Sequence, residues 1–196
     1  MAWLTTALGL AMGLSAAPIV GTNPDCRDAV EEALGGWTSR AAARAALPEG
    51  DADCIEQLGR IATGNGDYLS RSRAIALLAT FRSPESVSAL ERVVEHPDPA
   101  WRCRAIQALA EIGSDAVLPI LVGRLEDRSV CLKITSTDPA REHGVFVADE
   151  AIRALETVTG LSFEPQPRPG QHRDPSPWRK WWRCRARATT KTPPSP

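Results

Sequence analysis

The residues best suited to chemistry in this chain of 196 are five cysteines, six tryptophans and three histidines. The cysteines are Cys26, Cys54, Cys103, Cys131 and Cys184. None forms a Cys-x-x-Cys pair, so zinc-site and thioredoxin-type readings lose their signature. His96, His143 and His172 fall in predicted loops, and none has a metal-ligand partner four residues away. Asp138, Glu142, His143 and Asp149 gather around one polar loop, where solvated carboxylates are a stronger reading than a cation site. Gly64-Asn65-Gly66-Asp67 lacks the carboxylates of a calcium loop. No phosphate-cradling glycine motif and no serine-nucleophile motif occurs. The expectation is a chain with no catalytic residue, no metal ligand and no cofactor.

Two aromatic and basic constellations remain. Near the C-terminus Trp178, Trp181 and Trp182 interleave with Arg179, Lys180 and Arg183. The tryptophans stand at i, i+3 and i+4, one face of a helix. Such a stripe packs on an exposed helix end while its basic neighbours reach acids on the body. The alternatives are a ligand patch using cation–π contacts and a membrane-surface helix. The second constellation is Trp101 with Arg102 and Arg104, a candidate groove for stacking and clamping a nucleic acid. A buried structural tryptophan is the favoured reading there. The net charge of −1 argues against a nucleic-acid partner. Charge is uneven, however: Arg168 to Lys191 carries +7, which leaves the remainder near −8.

These residues must be positioned by repeated helices. Arg73, Ala74, Ile75, Leu78, Phe81, Val87, Leu90 and Val94 align with Arg104, Ala105, Ile106, Leu109, Ile112, Leu118, Leu121 and Leu125 at a constant offset of 31 residues. Steps of three and four within each copy are the spacing of a helical face. Ser83-Pro84 and Asp98-Pro99 each pair an N-cap with a first-turn proline. Gly113 ends one helix and Ser114 is placed to cap the next. Small residues recur where helices must approach: Ala74, Ala105, Ala108 and Ala151. A third copy sets Ala151, Ile152 and Leu155 under Ala105, Ile106 and Leu109 at an offset of 46, so 15 further residues intervene. The insertion, 128–146, reads as a loop or small hairpin at the edge of a stack. Upstream, helices are expected from Asn23 to Leu34, Ser39 to Leu47 and Asp53 to Ala62.

The segments "RSRAIALLATFRSPESVSALERVVEHPDP" and "WRCRAIQALAEIGSDAVLPILVGRLED" resemble HEAT-like repeats, of the short type named after phycobilisome lyases. "VTGLSF" followed by Trp178, Trp181 and Trp182 resembles the end of many bacterial HEAT-repeat proteins. The resemblance covers about residues 67–183. It implies an all-α fold, an α-solenoid of short helix pairs with an inserted loop and a Trp-rich C-terminal cap. It also implies an interaction or scaffold role with another protein as partner. It does not carry bilin-lyase activity with it. Rival readings are a prosthetic-group lyase or chaperone-like subunit, and an anionic-surface or membrane binder acting through the C-terminus.

The expected organisation is a solenoid over 23–163, with clear repeats 67–97, 98–127 and 147–163. A linker 164–177, a cap 178–187 and a disordered tail 188–196 follow. The apolar run Ala2–Ala17 is shorter than the roughly 20 residues of a membrane span. It reads as a secretory signal, 1–17, although no Lys or Arg precedes it. An exported chain pairs its cysteines. Cys103 opens one helix and Cys131 follows its antiparallel partner, so these ends are neighbours. Cys26 and Cys54 lie near the starts of the first and third helices. Cys184 is left over. A secreted or periplasmic location is the corresponding expectation.

Overall fold

The computed structural model describes residues 26–48, 51–134, 143–163 and 172–189. The expected signal at 1–17, the start of the first helix and most of the 164–177 linker lie outside these residues. Among the described residues, eleven helical or strand segments precede the last long helix. They are α1 (Cys26–Gly35), α2 (Arg40–Ala45), α3 (Ala52–Thr63), α4 (Tyr68–Phe81), α5 (Pro84–Val94), α6 (Pro99–Ile112), a 3-10 turn (Asp115–Val117), α7 (Leu118–Val122), β1 (Val130–Ile134), β2 (His143–Phe146), α8 (Val147–Thr159) and, last, α9 (Ser176–Thr189).

Local chemistry explains where these helices start and stop. The Asp51 and Asp67 carboxylates accept from the first backbone amides of α3 and α4. Ser83 and Ser86 form a reciprocal capping box at α5, with Pro84 in its first turn. Asp98 accepts from Ala100 N at α6, again ahead of a proline. Gly113 closes α6 at φ 69°, a left-handed conformation that costs other residues energy.

The helices stack in two layers. α4, α6 and α8 pack side by side in one. α3 and α5 pack in the other, where the 3-10 turn follows α5 and α9 packs on α7. α3 on α4, α5 on α6 and α7 on α8 join the layers. The all-α solenoid expected from the repeats is the architecture observed. Repeat-equivalent residues do equivalent work: Ala74, Ala105 and Ala151 are all fully buried, as are Leu78, Leu109 and Leu155. A helix pair cannot bury its apolar face alone, so this shared core is what stabilises each copy. At Gly59 the layer is especially tight, since a Cβ there would stand 2.7 Å from Arg92 Nη2 and 3.2 Å from Ala89 Cβ.

Two elements differ from the sequence-based expectation. The helix expected after Ser114 is broken into the 3-10 turn and the short α7. Pro119 explains the break: it has no N–H to donate, so a new helix must begin beside it. Ser114 makes no side-chain cap bond. The insertion is a two-stranded antiparallel sheet, with Leu132 opposite Val145, Lys133 opposite Gly144 and Ile134 opposite His143. An irregularity between Val130 and Leu132 leaves Cys131 out of register. β1 lies on α6 and β2 runs directly into α8.

Candidate interaction surface

Two disulfides cross-link the described elements, one at the N-terminal end of the stack and one between α6 and the hairpin. Cys26 joins Cys54 across a Cα separation of 5.2 Å, linking α1 to α3. Cys103 joins Cys131 at 6.2 Å, pinning β1 to α6. Cys184 is an exposed free thiol. Among the described residues, Cys26, Asp51 and Cys54 bring three metal-type ligand atoms within 4.8 Å of one another. Two of these are sulfurs already bonded to each other, so no ligand set remains. Asp149 of the acidic group near the insertion accepts from Arg173 N at 3.0 Å. Asp138 and Glu142 lie outside the described residues.

The tryptophan helix begins two residues earlier than expected, at Ser176. Its first amide donates to Asp174 Oδ1 at 2.9 Å, an acid just before the helix. It also runs on to Thr189, beyond the expected cap boundary at Arg187. Trp178 is only 2% exposed and meets Phe163 edge-on, with ring centres 4.8 Å apart. Trp181 meets Trp178 at 5.5 Å and Trp182 follows at 6.1 Å, both partly buried. Outward arginines bind acids of the preceding repeat: Arg179 to Glu126 and Arg185 to Asp115, each at 2.6 Å. Lys180 and Arg183 have no acidic partner among the described residues. The aromatic face is therefore turned to the body, and the charged face is partly neutralised by it.

The approach to α9 is firmly docked, which sequence reasoning missed by treating it as linker. Arg173, 7% exposed, donates to both carboxylate oxygens of Glu156 at 2.6 and 2.7 Å. Burial would raise the Glu156 carboxyl, but hydrogen bonds from Arg173 and Ser162 and the Arg173 and Arg153 charges hold it below the ordinary glutamate range. An arginine in a Pro-rich, polar stretch gives no hint of its partner 17 residues away.

Trp101 lies in the first turn of α6 and is 5% exposed. Arg71 stacks over it at 4.2 Å, and the Tyr68 ring sits 5.1 Å away. It is therefore a packed residue beneath Arg71 and Tyr68, and no free stacking face remains for a base. Arg102 turns to the far side of α6. It donates to His96 O at 2.7 Å and to Pro97 O at 2.9 Å, and pairs with Asp127 at 2.9 Å. Arg102 thus holds the repeat boundary together. The expected groove set is divided: Trp101 and Arg102 are structural, and Arg104 alone faces an open site.

Arg104 lines a groove of about 290 Å³ formed by Tyr68, Gln107, Leu132, Val145 and Arg153. Helix starts supply its floor, the hairpin supplies one wall, and the Cys103–Cys131 bond fixes that wall. The Arg104 guanidinium is held by Ser72 Oγ at 3.0 Å and by the Tyr68 hydroxyl, with its carbon 5.0 Å from the Tyr68 ring centre. No acid pairs with it among the described residues. Its repeat equivalent in the third copy is Glu150, which is buried and paired with Arg153 at 2.7 Å. Tyr68, Leu69 and Leu132 are 56%, 57% and 57% exposed. The only signals in the sequence were the single tyrosine and the hairpin's alternating pattern.

No described helix is long and apolar enough to cross a membrane. A family model described as HEAT repeats matches residues 55–132. No curated protein and no solved structure matches the chain significantly.

Proposed function

We propose that this HEAT-like repeat protein is a non-enzymatic, exported interaction module that binds another protein through the groove between α4, α6 and the hairpin. HEAT repeats suggest an interaction or scaffold role in general. The observation that carries the finer reading is the meeting of exposed Tyr68 and Leu132 around Arg104. Large apolar side chains exposed together beside a preorganised charge mark a binding surface more than a solvated face. The groove volume sits at the lower end of the ~300–1,000 Å³ range of small-molecule sites, which favours a few side chains over a prosthetic group. The two disulfides support an oxidising compartment.

A photo-crosslinking residue at Leu132, installed in the native host, tests the surface. Crosslinking to a discrete protein from Leu132, and not from Glu91 on the other layer, is the expected result. Equal labelling from both positions would reject the groove. Non-reducing peptide mapping of the native protein tests export: linked Cys26–Cys54 and Cys103–Cys131 are expected, whereas free thiols would place it in a reducing compartment.

A second reading has one observation of its own. Lys180 and Arg183 lack acidic partners among the described residues, and Leu161 and Phe163 are exposed on the same end of the stack. This end would bind an anionic surface. Co-sedimentation with phosphatidylglycerol vesicles, lost on Lys180→Glu with Arg183→Glu, is its test.

A further inference from the structure

We infer that the groove recognises an acidic segment of the partner protein, in which one carboxylate engages Arg104 and an adjacent aliphatic or aromatic side chain packs on Leu132 and Val145. This rests on the groove being the binding surface.

The charge argument comes first. Arg104 and Arg153 contribute two positive charges to the groove and Glu150 one negative charge. Glu150 is buried and paired with Arg153, so these two charges offset each other and the groove keeps one net positive charge, on Arg104. Arg104 differs: its bonds go to two neutral hydroxyls, Ser72 and Tyr68. No described carboxylate neutralises it, and the remaining N–H groups of the fork are left for a ligand. A guanidinium already fixed by its neighbours loses little side-chain freedom on binding. Carboxylates match that fork geometry.

The apolar argument is independent. Leu132 and Val145 are cross-strand partners and therefore share one face of the hairpin. That face lines the groove. A small inorganic anion would leave this wall and the exposed Tyr68 ring uncovered. An acidic residue next to an apolar one uses both halves. One unpaired arginine suits a single carboxylate, whereas a phosphate usually gathers several basic groups.

The test is selection from a random linear peptide library on the disulfide-intact full chain. Selected peptides that compete with one another should carry Asp or Glu beside Leu, Ile or Phe. Their binding should weaken as salt is raised. Arg104→Gln should weaken it roughly 10- to 100-fold, the worth of a charge-assisted hydrogen bond. Because Arg104 also steadies Tyr68, the melting temperature of the variant is measured alongside. Leu132→Asp, at an exposed strand position, gives a second loss that does not depend on Arg104. Peptides sensitive to Leu132→Asp but lacking acids, or indifferent to Arg104→Gln, overturn this inference and leave the groove as the binding surface. Peptides indifferent to both substitutions overturn the groove itself.

Discussion

Arg173 and Glu156 form a two-pronged ion pair that fastens the entry of α9 to α8. Neither group is far from the core, and each satisfies the other's charge. Removing Arg173 takes from the half-buried Glu156 its main partner and leaves it Ser162 and the Arg153 charge. Arg173→Ala is expected to cost about 1.5–3 kcal/mol, in the range for hydrogen bonds to charged groups. Urea denaturation reads this directly, and a midpoint unchanged from wild type would show that the pair is incidental.

The same pair predicts a response to acid. Burial acts to raise the carboxyls of both Glu156 and Asp127. Hydrogen bonds from Arg173 and Ser162 outweigh it at Glu156; those from Ser129 and the Arg102 charge outweigh it at Asp127. Both groups therefore hold their protons less tightly folded than unfolded. Their stabilisation is present above the unfolded values, about 3.9 for Asp and 4.3 for Glu, and is lost as pH falls through the lower folded values. The melting temperature should drop below about pH 4. In Arg173→Gln with Arg102→Gln this acid limb should be shallower, and an identical limb would contradict the assignment.

Trp178 is the keystone of the C-terminal end. Trp178→Ala should destabilise by about 3–5 kcal/mol, as for other large buried aromatics. Lys180→Ala and Arg183→Ala should stay within about 0.5 kcal/mol. Deletion after Pro175 should lower the melting temperature more than any of these. If deletion leaves it untouched, α9 is an appendage and not a cap.

The Cys103–Cys131 bond holds the hairpin wall. Replacing both cysteines by Ala should cost about 2–4 kcal/mol. Hydrogen exchange should rise first in 130–134 and 143–146, with α5 still protected. Exchange that rises evenly over the whole chain would mean the bond serves the stack and not the hairpin.

The repeat helices could be read from the sequence because their determinants are local. Ser83, Pro84, Asp98 and Gly113 sit at helix ends, and Ile75, Ile106 and Ile152 mark one inward face. The cysteine pairing was accessible by geometry once the stack was assumed. Pro119 was also visible, yet the periodicity of Leu118, Leu121 and Leu125 masked its effect on the helix. The contacts around Trp101 were not legible, since Arg71, Tyr68 and Arg104 meet only when α4 and α6 take a particular stagger. Arg173 escaped for a related reason: its partner is fixed by where the chain returns, which no residue near Arg173 encodes.

The two disulfides close loops of equal length, 28 residues from first cysteine to second. Each therefore withholds roughly 90 Å of chain from any pull on the molecule's ends. Residues between Cys54 and Cys103, which hold α4 and α5, have no such lock. The same holds after Cys131, where α8 and α9 lie. Under mechanical load the chain between and beyond the two loops extends, while the loops themselves keep their length.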